Sequence, residues 1–214
     1  MKLLSTYMPG SNQLPADLSG KFSDKGPLLF ILRHGQIEGH GTRRFIGCTD
    51  IPLDDTGREQ ARRWQVPLAA IRFKQVYTSA LTRCRETAAL AYPDSAPIID
   101  RRLNEINLGD WDGQDFEHIK TNYPDLFEQR GRDIYGFRPP AGESFKDLFQ
   151  RASLFFSELS LSSHTLLVTH AGVIRAMRCF WAGEKMETLL SFKTHYGQLF
   201  VLAVRSNNYL FSIR

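Results

Sequence analysis

Cysteine is scarce in this chain: three residues, at 48, 84 and 179, in a length of 214. The number is odd and no C-x-x-C pair occurs. Neither a disulfide framework nor a zinc site is supported, and reduced thiols in a cytoplasmic location are expected. Long hydrophobic runs are also missing. After Lys2 only Leu3-Leu4 stand before polar residues, and no stretch has the length of a signal or membrane segment. No Lys/Arg run approaches a nucleic-acid-binding arm. The 27 Lys+Arg against 23 Asp+Glu leave a charge of +4 and a pI near 9.0, a mild surplus that favours anionic small molecules over DNA or RNA. No internal repeat is visible. Hydrophobic residues at 42% and charged residues at 23% argue against disorder across most of the chain.

What is present is an alternation of short apolar runs and amphipathic stretches. Residues 1–26 carry Pro9, Gly10, Pro15, Gly20 and Gly26 without a period and read as an irregular leader; a single domain is expected over 27–214. Leu28-Leu29-Phe30-Ile31-Leu32 is apolar throughout, as a strand buried on both faces must be. Val76-Tyr77-Thr78 and Thr165-Leu166-Leu167-Val168-Thr169 read as further strands, and Leu199–Val204 with Tyr209–Ile213, split by Asn207-Asn208, as a terminal hairpin. Thr56 is placed to cap a helix through Gln60, Ala61 and Trp64, with a break or restart at Pro67. Leu81–Ala91 and Gly172–Trp181 are helical in composition. Ser144–Leu159 is the clearest helix: Phe145, Leu148, Phe149, Ala152, Phe155, Phe156 and Leu159 fall on one face, and Ser144 with Asp147 resembles a capping box. Residues 107–142 break the rhythm and read as an excursion with one or two short helices, its aromatic residues forming a local core. The alternation predicts a three-layer α/β/α sandwich with a mostly parallel central sheet.

In such sheets ligands gather at the carboxyl ends of the strands. Arg33-His34-Gly35 follows the first strand directly. A histidine there can attack phosphorus, an arginine can fork onto phosphate oxygens, and a glycine lets the backbone approach closely. The logic repeats. Thr78-Ser79-Ala80-Leu81-Thr82-Arg83 leaves a strand and enters a helix, as does Thr169-His170-Ala171-Gly172, and Leu103-Asn104-Glu105 precedes a Gly-Asp-Trp-Asp-Gly turn that can aim a carboxyl at the same pocket. Two histidines, two arginines and one glutamate at such positions suit phosphoryl transfer through phosphohistidine.

From about Phe30 onward the sequence resembles the histidine phosphatase superfamily, in its phosphoglycerate mutase-like branch. Five blocks match in order: Arg33-His34-Gly35; Gly47–Ala61 with Asp50, Pro52, Leu53 and Gly57; Ser79–Ala88 with Leu81, Arg83, Thr87 and Ala88; Leu103–Gly113 with Glu105, Gly109, Trp111 and Gly113; and His170–Arg175. The resemblance implies His34 as nucleophile, Arg33, Arg83 and His170 as holders of the phosphoryl group, and Glu105 as the acid that protonates the leaving oxygen and then activates water. It implies no metal or other cofactor, a phosphorylated small molecule as partner, and no nucleic acid or membrane; homodimerisation is left open. Relatives usually continue as R-H-G-E-T-x-x-N, whereas Gln36, Ile37 and His40 stand here. His40 therefore either replaces the usual phosphate contact of that Asn or leaves it unfilled. His170-Ala171, in place of a His-Asp pair, argues against the phytase-like branch. Arg43-Arg44 is the best candidate for reading a second anionic group on the substrate, since the chain after the nucleophile must pass close to the pocket. The segment Gly41–Gly47 resembles α-ribazole phosphatase-like members. A phosphatase is the expected activity, with phosphoglycerate mutase-type transfer and a non-catalytic binding module as the alternatives.

Overall fold

The structure is a computed structural model that describes residues 1–10, 26–160 and 162–203. Six strands form one sheet: β1 (Lys2–Tyr7), β2 (Leu28–Arg33), β3 (Gln75–Thr78), β4 (Ile98–Ile99), β5 (Thr165–Thr169) and β6 (Leu199–Ala203), in the order β1-β6-β2-β5-β3-β4. Among the described residues the sheet is flanked by α1 (Asp55–Arg62), α2 (Gln65–Ala69), α3 (Thr82–Ala91), α4 (Phe116–Asn122), α5 (Pro124–Arg132), α6 (Phe145–Glu158) and α7 (Ala171–Ala182). None of these is long and apolar enough to cross a membrane.

The continuous apolar runs of β2 and β5 are explained by their place at the centre. Successive side chains of a strand point to opposite faces. Leu29 and Ile31 enter one core with Leu148, Phe155, Val173 and Met177 of α6 and α7. Leu28, Phe30 and Leu32 enter the other with Trp64, Leu68, Cys84 and Ala88 from α1 to α3 and the turn between α1 and α2. Helices thus cover both faces, giving the expected three layers. β5 pairs parallel with β2 and β3, and β3 with β4. β6 is antiparallel to both β2 and β1, so the sheet is mixed.

Two expectations change. Residues 2–7 are not irregular: β1 lies at the sheet edge against β6, a pairing that exists only in three dimensions. The cap of α1 is Asp54, not Thr56; its carboxylate accepts from Gly57 N at 2.7 Å. The restart near Pro67 is found, with Pro67 in the first turn of α2. Ser144 and Asp147 form the full capping box of α6. The second strand of the expected terminal hairpin lies outside the described residues. Residues 107–142 hold α4 and α5, and their aromatics do form a local core: Phe45 stacks on Phe116 at 4.0 Å and tilts against Trp111, which meets Phe137.

Candidate active site

β2, β3 and β5 run parallel, so their carboxyl ends open on the same edge. His34 follows β2 and is buried. Its backbone N donates to Thr169 O at the end of β5, and its own carbonyl accepts from Gly197 N. Gly35 is required by close approach: a Cβ would collide with the Gly57 carbonyl at the start of α1. His34 Nδ1 lies 2.8 Å from Gly35 O. A carbonyl only accepts, so Nδ1 carries the proton and Nε2 of the neutral ring keeps a free lone pair. Burial, then Arg33 and Arg83, hold the His34 pKa well below the usual histidine range, against a weaker upward pull from the Gly35 carbonyl.

Arg83 is almost wholly buried in the first turn of α3. The start of that helix is tied down by Asp50, whose carboxylate accepts from both Thr82 N and Thr82 Oγ1. Arg83 donates to Thr49 O at 2.8 Å, to Gly47 O at 2.6 Å and, through Nε, to His170 Nδ1 at 3.3 Å. A guanidinium has five N–H groups. One on each terminal nitrogen is therefore left over for a ligand.

His170 caps the end of β5, fully buried, with its ring centroid 5.0 Å from that of His34. Ser79 Oγ donates to Asn104 Oδ1, an oxygen that also accepts from Ala80 N. Having one proton, Ser79 must then accept from His170 Nε2 at 2.8 Å. This leaves Nδ1 unprotonated, as the bond from Arg83 requires. His170 is thus neutral, with both ring nitrogens engaged, and burial followed by the Arg83 charge lowers its pKa well below the usual range. Cys84 packs against the same ring with its Sγ 3.3 Å from Nε2, and burial pushes its thiol pKa far up.

Glu105 does not leave a strand. It follows a single 3-10 turn, Arg101–Leu103, after β4. Its carboxylate accepts from Ile106 N at 3.0 Å and from Gly172 N at 3.1 Å, in the first turn of α7. Behind it Arg151 donates to the carbonyls of Arg102, Asn104 and Glu105 and pairs with Glu143, which accepts from Asn107 N. Glu143 therefore braces the Glu105 loop.

A cavity of about 310 Å³ opens over this group, lined by Arg33, His40, Arg44, Glu105, Arg175 and Tyr196 among others. A neighbouring cavity of about 230 Å³ shares Arg44, Glu105 and Arg175 and adds Arg130 and Phe137. Of the sequence candidates, the structure brings His34, Arg33, Arg83, His170 and Glu105 together at the strand ends, with Arg44 and His40 at the mouth. His40 is exposed and meets Tyr196 edge to face. Arg43 is not brought to either cavity. Its neighbour Arg44 bridges Asp115 in extended conformation, where consecutive side chains point apart, and Arg43 instead lies over the Phe116 ring at 5.8 Å.

Three lining residues escaped sequence reasoning. Arg175 sits one helical turn beyond Ala171, and both line the mouth; that i, i+4 spacing was the available signal. Arg130 is half-buried over Phe45 and Phe116 and has no carboxylate within ion-pair distance among the described residues. Burial lowers the pKa of both arginines. Tyr196 precedes β6 and had no signal. Among the described residues no group of three or more His, Cys, Asp or Glu could hold a metal ion.

Comparison with known proteins places the chain in a family. Residues 29–212 match the family model of the histidine phosphatase superfamily, branch 1. A 2,3-bisphosphoglycerate-dependent phosphoglycerate mutase of Gloeobacter violaceus is 33% identical over 160 residues, covering 70% of this chain and 73% of the relative. The 6-phosphofructo-2-kinase/fructose-2,6-bisphosphatase of Gallus gallus is 32% identical over 75% of this chain and 34% of its own length. Among solved structures, the α-ribazole phosphatase of Shigella flexneri superposes with a TM-score of 0.77 at 25% identity, covering 84% of this chain and 91% of that one. A mycobacterial glucosyl-3-phosphoglycerate phosphatase bound to VO3 gives 0.69 at 26% identity, covering 81% and 92%. The chain belongs to the histidine phosphatase superfamily, branch 1.

Proposed function

We propose that this protein is a metal-independent phosphatase that hydrolyses a small-molecule phosphate monoester through a phosphohistidine on His34. The observation that carries the reading is the His34 ring itself. Its Nδ1–H is fixed on the Gly35 carbonyl and its pKa is depressed, so a neutral ring with a free Nε2 lone pair stands beside two arginines. In the first displacement Nε2 bonds to phosphorus and the ester oxygen departs with a proton from Glu105. In the second, Glu105 takes a proton from water, the oxygen of that water bonds to phosphorus, and the N–P bond breaks to release inorganic phosphate. Arg33 and the two remaining N–H groups of Arg83 hold the phosphoryl oxygens, and their fixed positive charge stabilises the transition state. His170 keeps the Arg83 guanidinium aligned beside His34.

The leaving group extends from Glu105 into the adjoining cavity, where Arg44, Arg130 and Arg175 favour a compound with further anionic character. Among the relatives and neighbours are both mutases and phosphatases. The discriminating assay supplies 3-phosphoglycerate with a bisphosphate primer: net phosphate release supports hydrolysis, and isomerisation without release would sink it. His34→Ala is expected to abolish turnover of p-nitrophenyl phosphate while chelator leaves the wild type active. Acid-labile phosphate trapped on the wild type and absent from that variant would support the intermediate.

A further inference from the structure

We infer that Tyr196 is a positioning residue that acts through Arg33, holding its guanidinium beside the nucleophile by the face of its ring. Arg33 is a half-buried cation with no carboxylate in ion-pair contact among the described residues. Its terminal nitrogen donates to Thr194 O at 2.8 Å, and its guanidinium carbon lies 4.0 Å from the Tyr196 ring centroid. Its Nε is buried without a hydrogen-bond partner. A desolvated guanidinium stacked on an aromatic face is held in orientation as well as stabilised. The two supports, Thr194 O and the Tyr196 ring, come from one turn.

That turn is itself anchored to the nucleophile. Gly197 N donates to His34 O at 3.0 Å, and the Gly197 carbonyl accepts from the buried Trp64 Nε1 at 2.7 Å. His195 N is closed onto Gln198 Oε1 at 2.9 Å. The Tyr196 ring therefore cannot drift from His34, whose ring centroid is 5.6 Å away. His40 closes the outer side of the Tyr196 ring edge to face at 5.7 Å. Three rings, His34, Tyr196 and His40, run outward from the interior, with Arg33 on the middle one. His40, at the position where relatives carry Asn, thus buttresses the ring that aims Arg33 rather than having to reach the phosphate.

The inference rests on the phosphatase reading for its catalytic meaning, but it is read through binding as well as turnover. The test compares wild type with Tyr196→Phe and Tyr196→Leu, using inorganic phosphate affinity by calorimetry, kcat and KM for p-nitrophenyl phosphate, and the His34 pKa by NMR. Tyr196→Phe keeps the ring face and is expected to stay within about threefold of wild type. Tyr196→Leu is expected to bind phosphate roughly tenfold more weakly and to lose kcat, with a melting temperature lowered by only about 2–4 °C. With Arg33 freed to swing away, the His34 pKa should also rise in Tyr196→Leu and not in Tyr196→Phe. If Tyr196→Leu does not fold, Tyr196→Met takes its place. Equal losses in Tyr196→Phe and Tyr196→Leu, or unchanged phosphate affinity in the latter, would overturn the inference. Ring-dependent phosphate binding in a protein without turnover would instead uphold it and refute the phosphatase reading.

Discussion

A single methyl group at Gly172 tests the placement of Glu105. A Cβ at this position would fall well inside van der Waals contact with Glu105 Oε1 and only 3.1 Å from its Cδ. The obstacle is the free end of a side chain, so the carboxylate yields and α7 does not. Restoring ordinary contact moves the carboxylate by about 1 Å or more. The bonds from Ile106 N at 3.0 Å and Gly172 N at 3.1 Å are then lengthened or broken. Their loss is offset in part by up to about 1 kcal/mol from replacing Gly by Ala in a helix, so Gly172→Ala should be destabilised by only about 1–3 kcal/mol. A displacement of this size at a proton-transfer group lowers the rate roughly a hundredfold. The assay is kcat/KM on two esters, glycerol 1-phosphate and p-nitrophenyl phosphate. This parameter reports the first displacement, where an alkoxide needs a proton and p-nitrophenolate does not. The alkyl ester should lose about a hundredfold and the aryl ester only a few-fold. Equal losses on both, or full retention on the alkyl ester, would refute the role given to Glu105.

Three further outcomes follow from the buried histidines. His34 and His170 both have native pKa values pushed below the unfolded value of about 6.5, so below about pH 7 the unfolded chain binds protons that the native state does not. Stability should therefore fall as pH drops, by up to about 1.4 kcal/mol per pH unit for each histidine until its native pKa is reached; urea melts at stepped pH measure it, and a flat profile refutes it. For the same reason the acidic limb of kcat/KM should lie well below the ordinary histidine range, and a limb at about pH 6.5 assigned to His34 by NMR would contradict the burial argument. Ser79→Ala removes the acceptor of His170 Nε2–H and a donor to Asn104, and should cost about 1–3 kcal/mol in chemical denaturation.

The parts of the site legible in the sequence share one property: the local chain already shows what they do. The run Leu28–Leu32 must be buried on both faces, so Arg33 and His34 must emerge at its end, and His170 follows β5 by the same reasoning. Ser144 and Asp147 declare the start of α6 within four residues. What stayed hidden depends on contacts distant in sequence. β1 has no meaning without β6, and Arg43 and Arg44 are told apart only by which side of an extended bridge faces the cavity. Arg130 looks like a surface residue until α5 folds over Phe45. Asp54 displaced Thr56 as the α1 cap because Gln36 Nε2 and Gly57 N both converge on the Asp54 carboxylate. Tyr196 and Thr194 lie in a turn whose own residues carry no phosphate-binding pattern.

β6 runs against its neighbour β2, and so its entrance, not its exit, stands beside the nucleophile. The carbonyl that receives Arg33 comes from a residue 161 positions away in sequence. The loop-closure entropy of so distant a contact must be met before the contact forms, and such pairings slow folding. A refolding chain can thus pair β2 with β5 around His34 and still be inert, its arginine unaimed until β6 docks and completes both cores. Recovery of activity is then a timer for that final strand, and should coincide with the burial of Trp64, whose Nε1 donates to the Gly197 carbonyl at the entrance of β6.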